Sequence, residues 1–120
     1  MDKMQAYHSF WSAFTWKAYD ETSVPDSAVL PYIAYEAITG YFGDSLAVTA
    51  SLWTRSTSWA TITAKEKEIA ARIGKGGIMI PYEGGALWIR RGSPWAQRMS
   101  DAQDDSVRRI VLNVILEFID

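Results

Sequence analysis

The amino-acid sequence predicts an α+β fold: a single mixed or antiparallel β-sheet packed by two main helices, in the order helix, strand, strand, helix, hairpin, strand. Three observations carry this prediction. Apolar residues recur at spacings of three and four in residues 1–19 and again in 59–73, which is the helical period. They recur at every second residue in 46–53 and 110–118, which is the strand period. Clusters of glycine, proline, serine and aspartate separate these segments and supply turn chemistry between them.

Each element follows from its own residues. In 1–19, Met4, Tyr7, Trp11, Phe14 and Ala18 share one helical face, Phe10 flanks it, and Trp16 projects from the opposite side. Residues 20–31 hold acidic residues, serines and two prolines, and read as a surface loop. Residues 32–38 are aromatic and branched, and in 46–53 Leu46, Val48, Ala50 and Leu52 alternate with Ala47, Thr49, Ser51 and Trp53. Gly40, Gly43 and Asp44 join the two as an antiparallel connection. The hydroxyl side chains of 54–58 suit the start of a helix over 59–73, and Gly74 suits its end. Glu66 falls within that helix's apolar face of Trp59, Ile62, Ile69, Ala70 and Ile73, where an unpaired carboxylate is costly to bury. Either that face is partly exposed, or Glu66 pairs with an arginine from the sheet or from a neighbouring subunit.

A short strand over 78–80 is interrupted at Pro81, and Glu83, Gly84 and Gly85 turn the chain into a hairpin partner over 86–91. Gly92, Ser93 and Pro94 stop that strand, and 95–106 forms a connecting loop. In the last strand Ile110, Leu112, Val114, Leu116 and Phe118 make one apolar face, while Arg109, Asn113 and Glu117 alternate with Val111 and Ile115 on the other. Such a strand belongs near the centre of a sheet.

Composition narrows the function. The 120 residues fit one domain, spanning 1–120, with one modest core. A hydrophobic share of 48% with 22% charged residues describes a globular chain, and no segment approaches the roughly 20 apolar residues of a membrane span. The first residues lack the apolar centre of an export signal, so the chain is expected to stay where it is made. Without cysteine there are no disulfides, thiol nucleophiles or cysteine-ligated zinc. The net charge of −2 gives no overall basic footprint for nucleic acid.

No enzyme is expected, and no catalytic residue, metal or cofactor is assigned. His8 is the only histidine and reads as a surface or boundary side chain of the first helix. Asp101, Asp104 and Asp105 lack the glycine and closing glutamate of a calcium loop, and read as solvated. Gly74, Gly76 and Gly77 follow a helix, whereas phosphate loops follow a strand.

The arginines are more suggestive. Arg90, Arg91, Arg98, Arg108 and Arg109 are interleaved with Trp88 and Trp95, and aromatic and arginine side chains are what protein interfaces favour over lysine and glutamate. Intrachain pairing and phosphate contact are the alternative uses of the same guanidinium groups. The interface candidates are Trp16, Trp53, Arg55, Glu66, Trp88, Arg90, Arg91, Trp95 and Arg98.

The string VPDSAVLPYIAYE over 24–36, the segment SLWTRSTSWATITAKEKEIAARIG, and GGALWIRRGSPWAQRMSDAQDDSVRRIVLNVILEF over 84–118 are similar, in that order, to the small tail-terminator or tail-completion proteins of long-tailed bacteriophages and prophages. The resemblance spans nearly the whole chain and rests on the order of its parts. It implies a virion structural protein assembled in the bacterial cytoplasm as a ring, a homohexamer, at the head-proximal end of the tail. There it would stop polymerisation of the tail-tube protein and meet the head–tail connector, with DNA near only because the channel passes through. A head-closure or connector ring, and a small nucleic-acid-binding regulatory module, are the alternatives. A closed ring uses heterologous contacts, so two different patches per copy should be buried. The Trp16 side of the first helix and the segment from Trp88 to Arg98 are the expected patches.

Overall fold

The last strand organises the molecule. In the computed structural model, which describes residues 1–100 and 104–120, it is β6 (Val107–Ile119). Its alternate side chains Ile110, Leu112, Val114, Leu116 and Phe118 are all buried, as their period of two predicts. Each such side chain contributes about 1.5–3 kcal/mol by leaving water. The strand therefore needs a partner along both edges and cover on that face.

The sheet supplies the partners. Its six strands run in the order β1 (Lys17–Asp20), β2 (Tyr32–Tyr35), β3 (Ser45–Arg55), β6, β5 (Gly85–Ser100) and β4 (Ile78–Tyr82). All neighbours are antiparallel except β1 and β2, so the sheet is mixed. The β3–β6 register sets Leu52 opposite Ile110, Ala50 opposite Leu112 and Val48 opposite Val114, so both strands turn their apolar sets to one face. On that face lie α1 (Lys3–Ser12) and α2 (Ala60–Ile73), which bury Tyr7, Phe10 and Trp11, and Ile62, Ile69 and Ile73, in the same core. Neither helix covers the opposite face.

Local chemistry fixes the helix ends. Asp2 accepts a hydrogen bond from the Gln5 amide at 2.8 Å, and the Gln5 side chain accepts one from the Asp2 amide at 2.9 Å. This reciprocal capping box satisfies two donors that the first turn would otherwise leave unpaired. Trp59 stands at the start of α2 without a side-chain cap, while the nearby Ser58 hydroxyl accepts from the Ala60 amide at 3.1 Å. Gly74, at a φ of 75°, ends α2 in a backbone region that glycine tolerates.

Several boundaries differ from the sequence expectation. The first helix stops at Ser12 rather than continuing to 19, Thr15 takes a positive φ of 68°, and the chain enters β1. The run Phe14, Thr15, Trp16, Lys17, Ala18, Tyr19 is rich in residues that suit a pleated surface, and Ala18 opposite Ile33 reaches the core as a strand residue instead. The second strand ends at Tyr35, not 38. β4 runs through Pro81 because it is an edge strand, where the missing amide need not face a neighbour.

The largest difference is in β5. Gly92, Ser93 and Pro94 do not stop it: pairing with β6 lapses after Arg91 opposite Val114 and resumes at Ala96 opposite Leu112. Residues 92–95 thus bulge out opposite the single residue Asn113. The expected 95–106 loop is strand over 95–100, and its residues 101–103, including Asp101, lie outside the described residues.

Candidate assembly interface

The face of the sheet without helices carries three of the nine interface candidates, Trp53, Trp88 and Arg90. Strand alternation sends Trp53 of β3, Arg109 and Glu117 of β6, and Trp88 and Arg90 of β5 there together. They pair by stacking. The Arg109 guanidinium lies 4.8 Å from the centre of the Trp53 ring, and that of Arg90 lies 4.1 Å from the Trp88 ring. A flat guanidinium over an indole face keeps its in-plane N–H donors free for other partners.

Those donors are partly used within the chain. Arg109 donates to the Ser51 hydroxyl at 2.9 and 3.1 Å, and Arg90 pairs with Glu117 at 3.3 Å. Trp88 donates its indole N–H to the Gly76 carbonyl at 3.0 Å. The result is two braced, half-buried groups of indole and guanidinium, Trp53 with Arg109 and Trp88 with Arg90, toward opposite ends of the row Val111, Asn113 and Ile115.

The bulge of β5 adds relief to this face. Beside it lies a recess of about 330 Å³ lined in part by Ala47, Thr49, Gly92, Pro94, Asn113 and Ile115. Gly92 is required for the close approach, since a Cβ there would stand 2.8 Å from the Asn113 carbonyl oxygen. Arg91, paired with the buried Val114, belongs by strand alternation to the helix-covered face instead, and its side chain is exposed.

The remaining residues lie elsewhere. Trp16 is not on a helix: it occupies the turn into β1, half-buried against the core, with the Lys65 ammonium of α2 5.4 Å from its ring centre. Lys65 also donates to the Phe14 carbonyl at 2.7 Å and pairs with Glu68 at 2.9 Å, which fastens this turn to α2. Trp95 leans on the core from the bulge. Arg98 lies on the helix side, over Trp59 at 4.8 Å, with Arg108 at 5.3 Å from the same ring. Arg55 reaches Ser106 at 3.0 Å and Asp104 at 3.4 Å. Glu66 is half-buried and has no ion-pair partner among the described residues.

The sequence reading missed two features. The first is a polar relay in which the Ser12 hydroxyl lies 3.0 Å from His8 Nε2 and the Tyr35 hydroxyl 2.6 Å from His8 Nδ1. Burial raises the Tyr35 hydroxyl above the ordinary phenol pKa, so it stays neutral. The relay fastens α1 to β2. The second is a clasp around Lys3, whose ammonium pairs with Asp120, donates to the Gly40 carbonyl at 3.3 Å, and lies 5.1–5.8 Å from the ring centres of Phe118, Tyr41 and Tyr82. The hydrogen bond between them raises Lys3 above its ordinary pKa and lowers Asp120 below its own. The clasp holds the β2–β3 connection, whose Tyr41 and Phe42 side chains are 80% and 69% exposed. No local pattern predicts it, because its members, Lys3, Gly40, Tyr41, Tyr82, Phe118 and Asp120, are scattered along the chain.

Among the described residues, no group of three histidine, aspartate or glutamate side chains is placed to hold a metal ion, and no helix is long and apolar enough to cross a membrane.

No family model and no curated protein matches the chain. Among solved structures, it matches a protein chain in the virion of a native gene transfer agent (GTA) particle, at 16% identity and a TM-score of 0.60, over 92% of this chain and 84% of that one. At that identity the similarity is one of fold.

Proposed function

We propose that this chain is a structural protein of a phage-like particle, acting as a terminator or completion ring at the head-proximal end of the tail. It stops tube polymerisation there and helps join the tail to the head. The observation that carries the reading is the shared fold with a chain of the gene transfer agent virion, which extends over nearly the whole of both chains. The order of sequence segments that resembles tail-terminator proteins points the same way.

The surface suits such a role. Indole and guanidinium groups dominate binding hot spots because they offer large area and directed donors at small entropic cost. On the open face they are braced before any partner arrives, so little ordering is left for the moment of contact. The partners in this reading are further copies of the chain in a ring of six, the tail-tube protein and the head–tail connector. No membrane is involved, and DNA is a neighbour in the channel rather than a ligand.

Deleting the gene from the phage or prophage that carries it, then imaging the lysate by electron microscopy, tests the proposal. Filled heads without tails beside overlong or irregular tubes are the expected outcome. Free tails of normal length beside leaking heads would replace termination with head closure, and unchanged particles would end the assembly reading.

A further inference from the structure

Charge along this chain is segregated. Residues 18–54 carry five carboxylates, Asp20, Glu21, Asp26, Glu36 and Asp44, and no lysine or arginine, whereas residues 55–100 carry eight lysines and arginines against three glutamates. The sheet order turns this separation in sequence into one in space. Residues 18–54 build nearly all of β1, β2 and β3 on one half of the sheet, and residues 55–100 build β5 and β4 on the other half, together with α2. Like charges brought together repel, so such a chain favours contact between unlike halves of two copies.

Within the basic half, one recess gathers cations around an apolar floor. It holds about 400 Å³ and is lined by Trp59, Ala60, Thr63, Ala64, Lys67 and Arg98. The Arg98 and Arg108 guanidinium groups lie 4.8 and 5.3 Å from the centre of the Trp59 ring. Lys67 and Arg98 are exposed, and neither they nor Arg108 forms an ion pair among the described residues. Arg108 spends its donors on the Asp105 and Thr57 carbonyls, at 2.6 and 3.0 Å. Cations gathered in this way repel one another, and an entering carboxylate relieves the repulsion.

The acidic half presents matching chemistry in the connection between β1 and β2. Glu21 and Asp26 are exposed there without an ion-pair partner among the described residues, and Val29 is 78% exposed. The connection is braced into turns. The Thr22 amide and hydroxyl donate to the Asp20 carboxylate at 2.9 and 2.8 Å, the Ser23 amide donates to the Asp20 carbonyl at 2.9 Å, and the Ala28 amide to the Pro25 carbonyl at 3.0 Å. Little ordering is left to lose on contact.

We infer that the β1–β2 connection of one copy docks in the Trp59 recess of the next, with Asp26 meeting Lys67 and Arg98 and Val29 against the apolar floor. The inference rests on the ring reading above and names its contact. Connection and recess are different patches of the same chain, so the contact is heterologous and propagates around a ring instead of closing as a two-fold dimer.

Exchanging the charges tests it in the assembled particle. A strain deleted for the gene is complemented with Asp26→Lys, with Lys67→Asp or with both in one chain, and the amount of the chain in purified particles is measured. Each single variant should lose incorporation and the double variant should regain it. Normal incorporation of both single variants, or no recovery in the double variant, overturns the contact while leaving the ring reading in place. Loss with Lys67→Asp but not with Asp26→Lys gives the recess to another acidic partner, the DNA backbone included, and also overturns it. The absence of natural cysteine supplies a second readout, which decides if a charge variant fails to fold. Asp26→Cys and Lys67→Cys, co-expressed as single variants, should give in particles treated with a short bis-maleimide a covalent dimer that neither gives alone. Incorporation of both without that dimer overturns the contact. Absence of the wild-type chain from particles overturns the virion reading and the inference with it.

Discussion

At the scale of single residues, the chain separates side chains that hold the sheet from those that furnish its open face. Leu112 sits fully buried at the centre of β6, between strands on both sides, where collapse around a deletion is limited. Leu112→Ala should cost about 2–5 kcal/mol, the range for a large-to-small change in a packed core. Urea unfolding read by tryptophan fluorescence measures it, and a loss below about 1 kcal/mol would show that the centre repacks. Gly77 is a different kind of essential residue. It has a φ of 88°, and a Cβ there would stand 2.6 Å from the Trp88 indole nitrogen and 2.7 Å from the Ile89 carbonyl oxygen. Gly77→Ala combines backbone strain with displacement of the Trp88–Arg90 stack, at about 1–3 kcal/mol for the strained backbone alone. The unfolding midpoint should fall and the native tryptophan emission should shift, whereas an unchanged spectrum would place the strain elsewhere. Leu112 was legible in the sequence because a period of two marks it. The Trp53–Arg109 stack was not, because it depends on the register of β3 against β6, which no local spacing encodes.

At the scale of elements, legibility followed pattern length. β3, α2 and β6 each repeat their period several times, and their inward sets were as expected. α1 and β1 share a stretch in which Phe14 and Ala18 satisfy a helical spacing, while the aromatic and branched residues between them suit a strand. Pairing with β2 decides between the two, and that is a tertiary effect. The sequence Gly92, Ser93, Pro94 signals a stop locally, yet β6 continues beyond it and offers further pairing, so β5 bulges and re-pairs. The Lys3 clasp links α1, β6 and the β2–β3 connection, and its electrostatics have a definite sign. Asp120 is held below its ordinary 3.8, so its stabilisation is complete above that value and lost as pH falls toward the depressed one. Lys3 is held above its ordinary 10.5, so its stabilisation is complete below that value and lost as pH rises toward the raised one. Asp104, lowered chiefly by the Ser106 hydroxyl, shares the acid limb. Below about pH 4 the unfolding midpoint should therefore drop further in the wild type than in Asp120→Asn, which has already lost this carboxylate. Parallel drops in the two proteins would remove the clasp from the acid response.

At the scale of the whole molecule, one face of the sheet carries the core and the other is left open by the helices. Both helices and the core lie on one side, so the open side is free to vary with only the cost of its own stacks. Exposed cation–π pairs contribute about 0.5–1 kcal/mol each, far less than the burial on the helix side. Arg109→Ala should lower stability modestly, by about 1–2 kcal/mol once its hydrogen bonds to Ser51 are included. Under the proposed assembly role, the same change would remove a braced arginine of the kind that carries hot-spot energy, where losses reach about 2 kcal/mol or more. A twofold comparison exposes the division. Leu112→Ala and Arg109→Ala are measured side by side for urea unfolding and for incorporation into particles at a temperature where both remain folded. The expected pattern is crossed: Leu112→Ala is the less stable but incorporates when folded, and Arg109→Ala is the more stable but fails to incorporate. If incorporation simply tracks folding stability in both variants, the open face is not a contact surface, and the braced arginines and tryptophans serve the sheet alone.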